Sequence, residues 1–193
     1  ASAAGARVMT SSSGPGLCLM LEAISSMALT RLPAVIVDVV RSGPGMGDLA
    51  PAQEDWKLSG NGAYKIPILL PGNVQELANM VFEAFDIADQ YSTPVLVLAD
   101  GMLGQMMEPV TFPEPRTTLP DKSDWAACGH KNQREHHIIN SLYLDAPLLE
   151  AKVKERFKRY AIIEETETDA ELYCCEDAES VVTAYGASAR VSK

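Results

Sequence analysis

Arg41 is the residue best suited to chemistry. It closes the apolar run "AVIVDVV" and enters the loop "RSGPGMGD". A guanidinium there can hold a carboxylate through two parallel N–H···O bonds. The competing reading is an arginine paired with Asp38 or with a surface acid. Two further turns hold equivalent places after apolar runs, "TSSSGPG" (Thr10 to Gly16) and "DGMLGQM" (Asp100 to Met106). Small residues let the backbone approach a ligand closely, and free N–H groups at a helix start can meet an anion. Each turn alone reads equally well as loop punctuation; three of them on one rim would make a site.

Other constellations carry less. Glu22, Ser25 and Ser26 are the only polar side chains of the first helical run and share one stripe. A lone carboxylate on an apolar helix needs a partner if buried, so the stripe is expected against a second chain or a missing segment. Its alternative is a narrow solvent-facing face. Cys128, His130, His136 and His137 do not match a zinc-ligand spacing, and no metal site is expected. Cys174 and Cys175 are adjacent, unlike redox or cluster motifs. G-x-S-x-G, Walker A, H-E-x-x-H and G-x-G-x-x-G are all absent.

The elements that must position these residues alternate. "ARVMT" reads as a short strand and Leu17 to Leu29 as a helix. "AVIVDVV" has the β-branched composition of a strand buried on both faces. "IPILL" is a weaker strand because Pro67 lacks a ladder donor. Asn73 with Glu76 makes a capping box, after which Val74, Leu77, Ala78, Val81, Phe85 and Ala88 repeat at helical spacing. "PVLVLA" is another buried strand. Strand–helix–strand twice over predicts an α/β domain with a parallel sheet, and ligands of such sheets bind beyond the carboxyl ends of the strands.

After Gln105 four prolines within "MEPVTFPEPRTTLPDKSDW" predict an extended connector. A basic helix follows near Leu148 to Ile163, and "SVVTAYGASARVSK" reads as a strand and turn. The predicted organisation is an α/β core over 1–107, a connector with the basic helix and an acidic segment over 108–180, and the start of a second unit from 181. "ASAAG" resembles a helix tail, so an N-terminally truncated unit is expected.

The 193 residues carry a formal charge of −10, and eight acidic residues with no basic one lie between Glu164 and Glu179. Such a chain repels phosphate backbones, which argues against nucleic acid. No apolar run approaches the roughly 18 residues of a membrane span. The four cysteines have no framework spacing, so a reducing cytoplasm is the expected compartment.

Four stretches in order, "GARVMTSSSGPGLCLMLEAIS", "LPAVIVDVVRSGPGMGDLAPAQED", "VQELANMVFEAFDIADQYSTPVLVLADGMLGQMMEPV" and "VVTAYGASAR", resemble the α-type subunit of 2-oxoacid:ferredoxin oxidoreductases. Within that family the resemblance is strongest to the branch acting on 2-oxoisovalerate and other branched-chain oxoacids.

The resemblance implies the pyrimidine-side domain of a thiamine diphosphate enzyme. That enzyme decarboxylates a 2-oxoacid, passes the acyl group to coenzyme A and sends electrons to ferredoxin. A β-type partner subunit would hold the diphosphate and Mg²⁺, with γ-type and ferredoxin-like subunits carrying coenzyme A and iron–sulfur functions. The unit from Val181 would be transketolase-C-like. Arg41 matches the arginine that faces the substrate carboxylate. Thr10, Ser11, Ser12, Ser13 and Gly14, with Gly43, Gly45 and Gly47, match loops beside the cofactor pocket. Gln53 and Asp55 match a polar pair in the following loop. No catalytic acid or base and no metal ligand is assigned to this chain, and alone it is expected to be inactive.

The family's Pro-Ile-Thr-Pro loop and its cofactor-binding glutamate are not in this sequence, and Glu22 does not replace the latter. "WKLSGNGAYKI" is shorter than the branch's usual loop, which leaves the oxoacid open. A pyrimidine-side domain of another thiamine diphosphate enzyme, or a non-catalytic α/β interaction module, remains the alternative.

Overall fold

The computed structural model describes residues 1–42, 47–60, 62 and 64–193. Its centre is a four-stranded sheet in the order β1-β2-β4-β3, built from β1 (Met9–Ser12), β2 (Ala34–Val40), β3 (Ile68–Leu69) and β4 (Pro94–Asp100). Every pairing is parallel, with Ser12 beside Asp38 and Val40 beside Asp100. The carboxyl ends of β1, β2 and β4 therefore lie side by side.

Alternation along β2 and β4 sends residues to two separate cores. Ile36, Val40, Leu96 and Leu98 pack with Leu17, Ile24 and Ala28 of α1 (Gly14–Thr30). Val35, Val95 and Val97 pack with Ala84 and Ala88 of α3 (Val74–Tyr91) on the other face. Both faces are covered, which is why these strands lack the polar half of an alternating pattern. Asp38 breaks that rule: it is fully buried, between Ile36 and Val40 on the α1 side.

Helix boundaries follow their caps. The Glu76 N–H donates to Asn73 Oδ1 (2.8 Å), while the Glu76 carboxylate accepts from the Gly72 N–H (2.8 Å) and Asn73 Nδ2 (2.7 Å). This is the reciprocal capping expected of α3. Helix α1 starts at Gly14 rather than Leu17, because Pro15 is already preset for a first helical turn. Strand β1 runs to Ser12, so Thr10 to Ser12 are the end of a strand and not yet a turn. Strand β3 is reduced to two residues: Pro67 has no N–H to give, although its carbonyl accepts from the Leu96 N–H (3.0 Å). A single turn of helix, α2 (Trp56–Ser59), lies between β2 and β3.

The connector carries no strand or α-helix until α4 (Ala146–Thr166), whose Tyr160 and Ile163 pack on Tyr91 and Ile87 of α3. An ionic network ties it down. Arg7 reaches Asp86 (2.7 Å) and Asp89 (2.8 Å), Arg116 reaches Asp86 (2.7 Å), and Lys122 reaches Asp89 (2.5 Å). The reading of "SVVTAYGASARVSK" as a strand and turn is corrected. Residues 181–185 pair with no strand among the described residues, and α5 (Gly186–Ser192) is a helix whose Ser188 and preceding Tyr185 are bound to Gln53. The "ASAAG" tail is a 3-10 turn over Ser2–Ala4.

Glu22 is exposed and Ser25 and Ser26 are half-buried in this chain. No described helix is long and apolar enough to cross a membrane, and no group of three or more metal-ligating side chains gathers among the described residues. The four cysteines are free thiols.

Candidate functional site

The three turns do meet on one rim. From β1 the chain passes through Ser13 into α1, and this junction is tight: a Cβ on Gly16 would lie 1.8 Å from Ser12 Oγ. Thr10 and Ser11 are exposed, Ser12 and Ser13 half-buried, and Gly14 buried. From β2 the chain enters the Arg41 loop, in which Gly47 is exposed, while Gly43 and Gly45 lie outside the described residues. From β4 it turns at Gly101, where a Cβ would lie 2.3 Å from the Val40 carbonyl oxygen and 3.1 Å from Pro51 Cα.

Only glycine fits at position 101, since both neighbours are backbone. Gly101→Ala is expected to push β4 away from the end of β2 and to cost about 1–3 kcal/mol, the range for overpacking. A urea titration at neutral pH measures it, and an unchanged midpoint would contradict the close approach.

Arg41 is half-buried at this rim and forms a bridge with Pro51 across its own loop. Its Nη1 donates to the Asp48 carbonyl (3.2 Å) and, at 3.4 Å, to that of Ser42. Among the described residues no carboxylate forms an ion pair with it, so the pairing with Asp38 is not made. A cavity of about 200 Å³ opens beside it, lined by Val39, Val40, Leu49, Pro51 and Gly101. A larger cavity of about 440 Å³ lies between β3 and α4 and shares no residue with the rim.

Gln53 and Asp55 sit beneath the rim. The Gln53 Nε2 donates to Asp100 Oδ2 (2.8 Å) and to the Tyr185 carbonyl (3.2 Å), its Oε1 accepts from Ser188 Oγ (2.9 Å), and its backbone carbonyl accepts from the Tyr185 hydroxyl. Asp55 is wholly buried and precedes α2, yet its side chain does not cap that helix. It faces Asp38 instead. Burial, then the Asp55 charge, push the Asp38 carboxyl up to about 7. Asp55 is also raised by burial, and Glu54 adds to that; the hydrogen bond from Asp38, the Gly14 N–H and Arg41 pull it back.

The carboxyl pair is the feature that sequence reasoning missed. Its signal was present as a lone aspartate inside an apolar strand, which is tolerable only with a partner. The anion that the start of α1 meets within this chain is Asp55, a role assigned beforehand to a ligand.

Residues 1–171 match the family described as pyruvate flavodoxin/ferredoxin oxidoreductase, thiamine diphosphate-binding. The chain is 46% identical over its whole length to the ketoisovalerate oxidoreductase subunit VorB of Methanothermobacter marburgensis, and covers 56% of it. It is 44% identical to the 2-oxoglutarate synthase subunit KorA of Archaeoglobus fulgidus over 58% of this chain and 34% of that one. Among solved structures, a 2-oxoglutarate:ferredoxin oxidoreductase from Magnetococcus marinus superimposes with a TM-score of 0.68 at 25% identity, covering 87% of this chain and 35% of that chain. The chain thus spans about half the length of the VorB relatives it matches. A parallel sheet with three glycine-bearing turns on one rim, and a family match reaching from its first residue past α4, make this chain a member of the pyruvate flavodoxin/ferredoxin oxidoreductase family, in its thiamine diphosphate-binding part.

Proposed function

We propose that this chain supplies the pyrimidine-side wall of a 2-oxoacid:ferredoxin oxidoreductase acting on a branched-chain oxoacid such as 2-oxoisovalerate. The observation that carries the reading is Arg41: a half-buried guanidinium at the strand ends, held by loop carbonyls and beside a cavity. Its donors suit an incoming carboxylate. Identity to VorB over the whole chain supports the branched-chain substrate.

Within this reading Arg41 orients the oxoacid by its carboxylate, and Thr10, Ser11, Ser12, Ser13, Gly14 and Gly47 form the small-residue wall. Gly43 and Gly45 belong to the same loop. Gln53 and Asp55 act from beneath, bracing the loop. The residues present suit one side of a thiamine diphosphate site: small turns gathered at the strand ends. Bound thiamine diphosphate supplies the nucleophilic carbon and the electron sink for decarboxylation. The diphosphate and Mg²⁺ then belong to a β-type partner, and coenzyme A and iron–sulfur clusters to further subunits that deliver electrons to ferredoxin. Residues 1–107 form the domain core, 108–180 the connector, and the stretch from 181 opens a transketolase-C-like unit.

Arg41→Lys in the assembled complex tests the reading. Lysine keeps the charge and loses the planar fork. A charge-assisted contact is worth about 1.5–3 kcal/mol, so kcat/KM for the oxoacid should fall on the order of tenfold to a hundredfold, with KM raised. Unchanged kinetics would remove Arg41 from substrate binding.

A further inference from the structure

Two buried carboxyls facing each other cannot both be ionised without a donor between them. The oxygens of Asp38 and Asp55 are buried and, apart from each other and the Gly14 N–H beside Asp55, meet no donor among the described residues. Both side chains are inaccessible to solvent. Asp55 has also given up the role its position offers, since an aspartate before a helix ordinarily accepts from that helix's N–H groups. A proton on one carboxyl removes the conflict, converting mutual repulsion into an O–H···O bond.

The surroundings decide which oxygen carries it. Asp38 lies on β2 between Ser12 of β1 and Leu98 of β4, on the same face as Ile36 and Val40. Asp55 lies near the Gly14 N–H and the Arg41 guanidinium, which favour its ionised form. The proton therefore rests on Asp38, which donates to the Asp55 carboxylate. The other titratable or charged groups on the surrounding elements are Cys18 and Glu22 on α1, Glu54 and Asp48 in the loop, Lys57 on α2, Asp100 on β4, and the Tyr64 and Tyr185 hydroxyls. Of these, Glu54 acts directly on Asp55, while Asp100 is bound to Gln53.

We propose that Asp38 and Asp55 share one proton as a clasp that fastens the segment from Gly47 to Ser59 against the carboxyl end of β2, so that the placement of Gln53 and of the loop beside Arg41 depends on that proton. The pair is a positioning device, acting through the loop and touching no ligand. It is a property of this chain and stands whatever the oxoacid.

The sign follows from linkage. When the segment lifts, both carboxyls reach water and return toward ordinary carboxylate behaviour, whereas the fastened form keeps its proton up to about pH 7. Between about pH 4 and about pH 7 the lifted form therefore gains by releasing a proton. The opening equilibrium should rise about tenfold per pH unit across that window and level off above it.

Amide hydrogen exchange of the full chain, corrected for the intrinsic effect of pH, reads this directly in residues 50–60. The expected result is protection that falls with pH across that window and then becomes constant. Asp38→Asn supplies a permanent N–H donor to the Asp55 carboxylate and should hold the segment closed at every pH. Asp55→Ala should leave it open at every pH. Should Asp55→Ala fail to fold, Asp38→Asn and the wild type still decide. Protection flat with pH in the wild type, or a wild-type pH dependence retained by Asp38→Asn, overturns the proposal.

Discussion

Asp38→Asn is expected to make the chain more stable at pH 8 and to leave its stability nearly unchanged near pH 4. Asparagine is close in size and shape to aspartate, so the packing of the α1 face is retained and the change is electrostatic. In the unfolded chain Asp38 titrates at its ordinary 3.8, while in the fold it holds its proton to about 7. Its folded value is raised, so the folded chain binds more protons than the unfolded one between those limits. Stability then falls as pH climbs through that window and stays low above it. The gap corresponds to at most about 4 kcal/mol at about 1.4 kcal/mol per pH unit, and Asp55 remains a buried carboxylate in the variant. A gain of roughly 2–4 kcal/mol at pH 8 is the expected size. Urea midpoints at the two pH values measure it; an equal effect of the substitution at both would mean that Asp38 is ionised throughout.

Thiamine diphosphate is expected to bind the isolated chain no tighter than about millimolar, and near micromolar once a β-type partner subunit is added, a difference of about 4 kcal/mol. Three features of the chain set this. Its rim offers small turn residues, one arginine and the carboxylates of Asp48 and Asp100, with no group of three or more metal-ligating side chains among the described residues. Its net charge of −10 opposes an ionised diphosphate. The helix start best placed to receive a phosphate is directed at Asp55. Calorimetry of the chain with and without the partner decides, and micromolar binding by the chain alone would overturn the division of roles between subunits.

Sheet strands buried on both faces announce themselves, and "AVIVDVV" and "PVLVLA" are β2 and β4 almost to the residue. The start of α3 was equally legible, because a capping box is a local pattern of Asn73 and Glu76. Arg41 could be placed at a strand end for the same reason: one residue after a β-branched run. What resisted reading depends on partners distant in sequence. Whether Asp38 meets Arg41 or Asp55 is set by how the loop folds back under α1, and no spacing rule contains that. The contacts of Gln53 with Asp100, Tyr185 and Ser188 join three separate parts of the chain. Helix α5 was misread because Val181 and Val182 suggest a strand, while both are exposed and Gly186, at φ 59°, turns the chain into a helix. The edge strand β3 shows the opposite limit: its apolar run is real, but Pro67 leaves room for only two ladder residues.

Four of the hydrogen bonds at Gln53 make it a rivet between the sheet and the stretch that begins at Tyr185. A rivet transmits force in both directions. Any swing of the chain beyond Tyr185 pulls on the Gln53 backbone through the tyrosine hydroxyl, two residues from Pro51, which bridges Arg41. Conversely, a displacement of Arg41 would reach Gln53 through Pro51 and pass to Tyr185 and Ser188. The end of β4 and the start of α5 are thus joined through one residue, Gln53.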